Sequence, residues 1–292
     1  MTNKQETGGI FMKKWLVVLG FVLVILLALS LSGCGADRNS PAEATPGAGE
    51  DPGDANSGTP DEGAAGSTDE EVSRGSLCAN RYMPVINGAS WTYSSIGGDV
   101  EPYAFTDNVT DANPAGFTLF SVFDGLTKTQ TWECSSEGLV ALEYAGGGQA
   151  SVSTSGLDVT FETTEMSGVS LPDVITVGDS WSQTFTVHGI SVLGAEMTSE
   201  TSGTVQINMT AVGIETVEVP AGSFEAIKIE VQTDLDFLIS VDGGEGLPFL
   251  MSSSGHTWMV EGVGWVKSVS SATMMGTTIT DTLELISYTI PE

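Results

Sequence analysis

The stretch VQINMTAVGIETVEVPAGSFEAIKIEVQTDL, Val205 to Leu235, decides the fold class. Its first half is rich in Val, Ile and Thr, the residue types that fit a pleated, half-buried surface. Its second half alternates, and places Phe224, Ala226, Ile227, Ile229 and Val231 near one face. Between them lies Pro220-Ala221-Gly222-Ser223. Proline fixes φ and glycine accepts a positive φ, so the insert reads as a turn between two antiparallel strands.

The same grammar extends outward in both directions. His256–Ser271 and Thr277–Ile290 read as the last strands, and TLFSVFDGLTKTQTWEC reads as a hairpin turning at Asp124-Gly125. After residue 76 no segment has a convincing helical apolar period. The expectation is an all-β chain of many antiparallel strands with short turns.

A repeat punctuates this pattern. Pro84, Gly88, Ser90 and Trp91 align with Pro172, Gly178, Ser180 and Trp181, the second copy being two residues longer. In each, a glycine turn enters a strand opened by tryptophan. Glycine permits the tight turn, and an indole brings a large area to a core. The repeat reads as punctuation of the fold, marking two related sub-structures.

Three motifs carry a family resemblance. They are Tyr82, Pro84, Gly88, Trp91 and Tyr93; then Val219, Pro220, Ala221, Gly222 and Phe224; then Trp258, Gly262, Val263, Gly264, Val266 and Lys267. Together they resemble a widespread group of bacterial lipoproteins, across nearly all of 80–290. That group is similar to the LolA/LolB-type half-barrels of the bacterial envelope. The resemblance implies a large antiparallel, curved sheet forming an open or incomplete barrel, with an apolar or lipid-like ligand on its concave face. The chain departs from that pattern in lacking an obvious plug helix.

The N-terminal segment is an address rather than part of the fold. Lys13 and Lys14 precede an apolar run from Trp15, which ends in Leu31-Ser32-Gly33-Cys34. Positive charge, apolar core, two small residues and a cysteine in that order resemble a lipoprotein signal peptide. Residues 1–33 are then the signal, and Cys34 carries the lipid. Residues 1–11 read as an over-extended start, since Met12 followed by two lysines is itself a normal opening. The competing reading is an uncleaved transmembrane helix. Both readings tether the chain outside the cytoplasm, on the cell membrane or the outer membrane. Residues 34–75 hold Gly, Ala, Pro, Ser, Thr and acidic residues with almost nothing large and apolar. Such a stretch cannot offset its ordering entropy, and reads as a disordered acidic linker.

Residues 76–292 form the folded unit. The whole chain carries nine basic and thirty-eight acidic residues, a net charge of −29. Within 76–292 the basic residues are Arg81, Lys128, Lys228 and Lys267. Nucleic acid is therefore excluded as a partner, because its affinity rests on Lys and Arg neutralising phosphates. With Cys34 acylated, Cys78 and Cys134 remain. Outside the cytoplasm such a pair reads as a disulfide. A loop of roughly 57 residues gives about 4 kcal/mol in the chain-entropy model. Two free thiols, or a cysteine nucleophile, are the competing reading.

Little else points to chemistry. Gly178-Asp179-Ser180 resembles an esterase nucleophile block, but such a serine needs a histidine base and a third group to orient it. The Ser90 copy lacks the aspartate, so the block is a fold feature first. His188 and His256 are the two histidines, and no ligand spacing joins them into a zinc site. Asp107, Asp111 and Asn113 could line a calcium loop, as could Asp234, Asp236, Asp242 and Glu245; without EF-hand spacing, turn chemistry is the better reading. Lys267 reads as a solvent-facing strand residue beside a glutamate. The sequence therefore predicts a non-catalytic module without cofactor or metal. Its partners are the membrane, through the lipid anchor, and a hydrophobic ligand or an envelope protein. The alternatives are a surface interaction module without a small ligand, or an unidentified hydrolase.

Overall fold

The computed structural model describes residues 78–97, 102–123, 126–144, 150–154, 157–193, 197–274 and 277–292. The signal segment, Cys34, the linker and the Asp124-Gly125 turn lie outside the described residues. What is described contains strands and no helix. The strands are β1 (Ser90–Gly97), β2 (Tyr103–Asn113), β3 (Gly116–Phe123), β4 (Leu126–Ser135), β5 (Gly138–Ala141), β6 (Ala150–Thr154) and β7 (Leu157–Gly168). They continue as β8 (Leu171–Pro172), β9 (Ser180–Leu193), β10 (Met197–Val219), β11 (Gly222–Val241), β12 (Leu247–Val260), β13 (Gly264–Met274) and β14 (Thr277–Thr289).

All belong to one antiparallel sheet in the order β6-β7-β9-β10-β11-β12-β13-β14-β1-β2-β3-β4-β5-β8. The β10–β11 ladder is the longest, from Ser199 opposite Val241 to Val219 opposite Gly222. Its two-residue turn, Pro220-Ala221, is the one its sequence specifies. β11 alternates at Ile229–Glu230 and again from Leu235 to Ile239, with Val231–Asp234 half-buried between. Ile229, Leu235, Phe237 and Ile239 are buried, while Glu230, Asp236 and Leu238 face solvent. Nearer the turn the reading from sequence fails. Phe224 and Ala226 lie opposite the face of Ile227, Ile229 and Val231, and Ala226 is nonetheless fully buried. The turn folds onto the sheet there, with the Ala221 N–H donating to the Leu285 carbonyl and Phe224 packing its ring against Tyr288. Both faces are covered, so burial no longer reports which face is inside.

The sheet curls without closing into a barrel. Twist accumulates across antiparallel strands, and bulges bend them at Thr92/Tyr93, Thr110/Asn113, Thr163/Glu165, Ala211/Gly213 and Trp258/Met259. The curl brings Trp132 of β4 within 6.4 Å of Trp265 of β13, ring to ring, although four strands separate β4 from β13 in the ladder. At the seam the chain itself crosses from one edge to the other. Gly168 still pairs with Gln183 of β9, and three residues later Leu171 pairs with Leu139 of β5. Side chains complete the crossing. Gln183 Nε2 donates to the Ala141 carbonyl at 2.8 Å, the Ala141 N–H donates to Ser170 Oγ at 2.7 Å, and Ser170 Oγ donates to Gln183 Oε1. The Tyr144 N–H donates to Thr163 Oγ1 at 2.9 Å. These bonds satisfy edge groups that a continuous ladder would otherwise pair.

Cys78 to Ala89 runs across the end of the curl where β1 begins. Cys78 is bonded to Cys134, with Cα atoms 4.9 Å apart. Asn80 Nδ2 donates to the Pro172 carbonyl, Tyr82 Oη donates to the Ile175 carbonyl, and the Gly262 N–H donates to the Arg81 carbonyl. Met83 is 1% exposed. An irregular segment thus covers this end of the curl.

The tryptophan repeat is structural. Gly88 (φ 86°) and Gly178 (φ 103°) both sit in the left-handed region. The N–H groups of Gly88 and Gly178 donate to the carbonyls of Val109 and Ala211; those of Val109 and Ala211 donate back to the carbonyls of Ala89 and Asp179. The turns themselves close identically, from the Ala89 N–H to the Ile86 carbonyl and from the Asp179 N–H to the Thr176 carbonyl. Each copy locks the start of a strand, β1 or β9, onto its hairpin neighbour, β2 or β10.

Candidate functional site

Alternate residues of a strand share a face, so the inner lining reads as pairs two apart. Gln130 and Trp132 come from β4, Phe185 follows Gln183 on β9, and Ile207 and Met209 come from β10. Ile229 and Val231 follow on β11, then Thr257 and Met259 on β12. They enclose a chamber of about 320 Å³. A second space of about 260 Å³ adjoins it, sharing Thr257 and Trp265 and walled by Tyr93, Phe105 and Leu283. The first lies at the lower end of the range for small-molecule pockets, roughly 300–1,000 Å³.

The lining is apolar with few charges. Trp91, Asp107, Ser121 and Lys128 follow one another across β1, β2, β3 and β4 as cross-strand partners. Ser121 Oγ donates to Asp107 Oδ1 at 2.5 Å. Burial pushes the Asp107 carboxyl up, partly offset by that bond and by the charge of Lys128. Burial pulls the Lys128 ammonium down, partly offset by Asp107. Both shifts follow from taking a charge out of water. Glu143 also lines the chamber, and its carboxylate accepts the Thr131 N–H at 3.0 Å. The Tyr144 hydroxyl is buried without a partner among the described residues, and its pKa is raised by burial.

The candidates read from sequence stand apart from one another. His188 Nε2 is 2.9 Å from Glu200, and His256 packs its ring against Trp258. Asp111 (φ 54°) and Asn113 build a turn, with Asn113 Nδ2 donating to the Asp111 carbonyl and the Ala115 N–H donating to Asn113 Oδ1. Asp107, the third of that set, points instead into the lumen. Asp234 accepts from Ser252 and Gln232, and Asp242 accepts the Thr198 N–H; Asp236 and Glu245 are exposed. Among the described residues no three His, Cys, Asp or Glu side chains gather as metal ligands would. Asp179 caps Thr176 through both its N–H and its hydroxyl, and Ser180 Oγ pairs with Thr210 Oγ1. Lys267 pairs with Glu284 at 2.6 Å, but both side chains are more than three-quarters buried rather than solvent-facing. The sequence reading missed Lys128 and Gln183 as lumen residues. The available signal was the stripe Lys128, Gln130, Trp132, in which polar residues keep step with an inward-facing tryptophan.

Three solved structures are similar in part. A protein from Bacteroides fragilis, described as exported and of YmcC-like fold, is 16% identical, with 73% of this chain and 100% of that one covered at a TM-score of 0.42. A lipoprotein from Parabacteroides distasonis is 10% identical over 73% of this chain and 99% of that one, at 0.39. The hypothetical lipoprotein YmcC from Escherichia coli is 10% identical over 74% and 88%, at 0.32. No curated protein matches the chain. The model of the DUF3108-like family matches residues 132–277, from the tryptophan of β4 to the start of β14. That span is half of the sequence and includes most of the chamber wall, and the chain belongs to the DUF3108-like family.

Proposed function

We propose that this chain is a lipid-anchored, extracytoplasmic protein that holds the apolar part of a lipid-like molecule inside its curled sheet, without catalysing a reaction. The observation that carries the reading is the apolar chamber of about 320 Å³ between β4 and β9–β13. It lies inside the curl, and its walls are tryptophan, phenylalanine, methionine and branched aliphatic side chains. Burial of an alkyl chain against such walls is favourable by about 0.8 kcal/mol per methylene. The motif resemblance to envelope half-barrels supports the same reading. Cys34 supplies the anchor, and residues 34–75 supply the acidic stalk.

Native mass spectrometry of the full chain, released from nonionic detergent, tests it. A reproducible added mass beyond the acylation of Cys34, lost on organic extraction and identified as lipid, is the expected result. A bare folded unit in every preparation overturns the ligand reading. Absence of acyl mass on the Cys34 peptide overturns the anchor independently.

A further inference from the structure

Four basic residues lie in residues 76–292, and three have carboxylate partners. Arg81 pairs with Glu261 at 2.9 Å, Lys228 with Glu215 at 3.4 Å and Lys267 with Glu284 at 2.6 Å. Lys128 is the exception. Among the described residues no ion pair or hydrogen bond engages its ammonium. It is also the one that lines the chamber of about 320 Å³, whereas Lys267, paired with Glu284, lines the adjoining space. Unpaired charge in such a place is costly unless something pairs with it. Two carboxylates face the same lumen, and both have other partners. Asp107, two strands from Lys128 and lining the adjoining space, accepts from Ser121 on the strand between them, and Glu143 accepts the Thr131 N–H.

We infer that Lys128 is the headgroup site for a single-chain amphiphile carrying one carboxylate, with the alkyl chain lying in the chamber between Trp132, Phe185, Met209 and Ile229. The inference rests on the lipid-holding reading and adds its chemical class. One cation matches one monoanion, whereas a phosphate is usually met by several donors or by a bidentate arginine. The chamber's volume suits one chain rather than two. The Tyr144 hydroxyl, which has no partner among the described residues, adds a donor at the same wall, and Gln130 Nε2, which donates to the Glu143 carbonyl at 3.2 Å, carries a second hydrogen beside Lys128 on the same stripe. A buried carboxylate needs such donors, since an ionised group makes its strongest hydrogen bonds out of water. No bond is made or broken. The complex is an ion pair formed on entry.

The test compares palmitate with hexadecanol, which has the same chain and no charge. Both are titrated into the full chain in nonionic detergent, and bound fractions are read by native mass spectrometry. The parent is expected to bind palmitate roughly tenfold or more tightly than hexadecanol, the range of one charge-assisted hydrogen bond. Lys128→Met keeps the length and removes the charge, and is expected to abolish that preference while retaining hexadecanol. Lys128→Gln gives a second variant should the first fold poorly. The carboxyl ¹³C signal of labelled palmitate supplies an independent readout. Its titration midpoint should be lower when bound to the parent than when bound to the variants, where burial without the cation raises it. Equal binding of the two probes by the parent overturns the carboxylate site and leaves the chamber reading standing. Binding of neither overturns both. A palmitate preference that survives in both variants also overturns the assignment to Lys128.

Discussion

Replacing Gln183 with leucine tests whether side chains hold the seam. Gln183 is 2% exposed, so leucine fills nearly the same buried volume and the change is mainly one of hydrogen bonding. Two bonds are lost: Nε2 to the Ala141 carbonyl at 2.8 Å, and the Ser170 hydroxyl to Oε1. A typical buried bond contributes about 0.5–1.5 kcal/mol net, and a buried group left unpaired costs about 1–3 kcal/mol. Ala141 is 4% exposed, so water does not readily replace the lost donor. The expected destabilisation is about 2–4 kcal/mol, by combining those terms for one orphaned carbonyl and one orphaned hydroxyl. With a urea slope of about 1–3 kcal/mol/M, the midpoint falls by roughly 1–2 M.

Urea unfolding of the full chain, followed by tryptophan fluorescence, reads the global effect. Hydrogen exchange reads the local one. Amides of β5 and β8 should lose more protection than those of β10 and β11, because the seam opens before the long ladder does. Ser170→Ala removes the acceptor of the Ala141 N–H, and the double variant should show a coupling of about 0.5–3 kcal/mol, as for other contacting residues. A Gln183→Leu protein within about 0.5 kcal/mol of the parent, with unchanged exchange in β5, refutes the account of how the curl is fastened.

Three further outcomes are expected. Gly88→Ala and Gly178→Ala should each cost about 1 kcal/mol or more, because alanine is strained at φ 86° and 103°. A Cβ meets nothing nearer than Pro291 Cγ at 3.7 Å in the first copy, and nothing within 4 Å in the second, so the cost is backbone strain alone. Urea midpoints falling at one site but not the other would break the equivalence of the two turns. Replacing Cys78 and Cys134 together by alanine should cost about 2–5 kcal/mol, and adding reductant to the parent should lower its melting temperature similarly; insensitivity to both would contradict a structural bond. Asp107→Asn should be more stable than the parent at neutral pH. Burial raises the carboxyl above its ordinary 3.8, so the folded state holds the proton more tightly and stability is lost as pH rises through that window. The advantage of the variant should shrink to nothing below about pH 3.8; one that grows on acidification reverses the sign and refutes the desolvation argument.

The sheet class, the Pro220-Ala221 turn and the glycine turns were legible because each is a local fact. Alternation, a fixed φ and a positive φ are written within a few residues. The face of Phe224 and Ala226 was not. It depends on where the hairpin's turn lands, against Leu285 and Tyr288, some sixty residues away in sequence. The seam was illegible for the same reason, since Ala141, Ser170 and Gln183 meet only once the sheet has curled. Lys128 was visible as a rare cation but not as a lumen residue. Its side was set by its register with Ser121 and Asp107, and period two does not say which side is inside.

The chamber itself follows from strand count rather than from any motif. Around a closed ring of about eight strands, side chains just fill the interior. Among the described residues fourteen strands share one sheet, and those bounding the chamber span β4 round to β13. Trp132 and Trp265 approach ring to ring at 6.4 Å across the curl, and Trp265 lines both spaces. A sheet this wide leaves unfilled volume unless a helix or a loop enters it. The segment from Cys78 to Ala89 crosses the end where β1 begins, bonded to β4, β8 and the turn after β12. It covers that end rather than threading the lumen. The opposite end carries the tip of the β11–β12 hairpin, where Leu247 pairs with the inward-facing Ile239 and is 50% exposed, while Leu238 and Leu250 lie on the outer face with Asp236. Wide sheet and covered base are separate consequences of the same strand order.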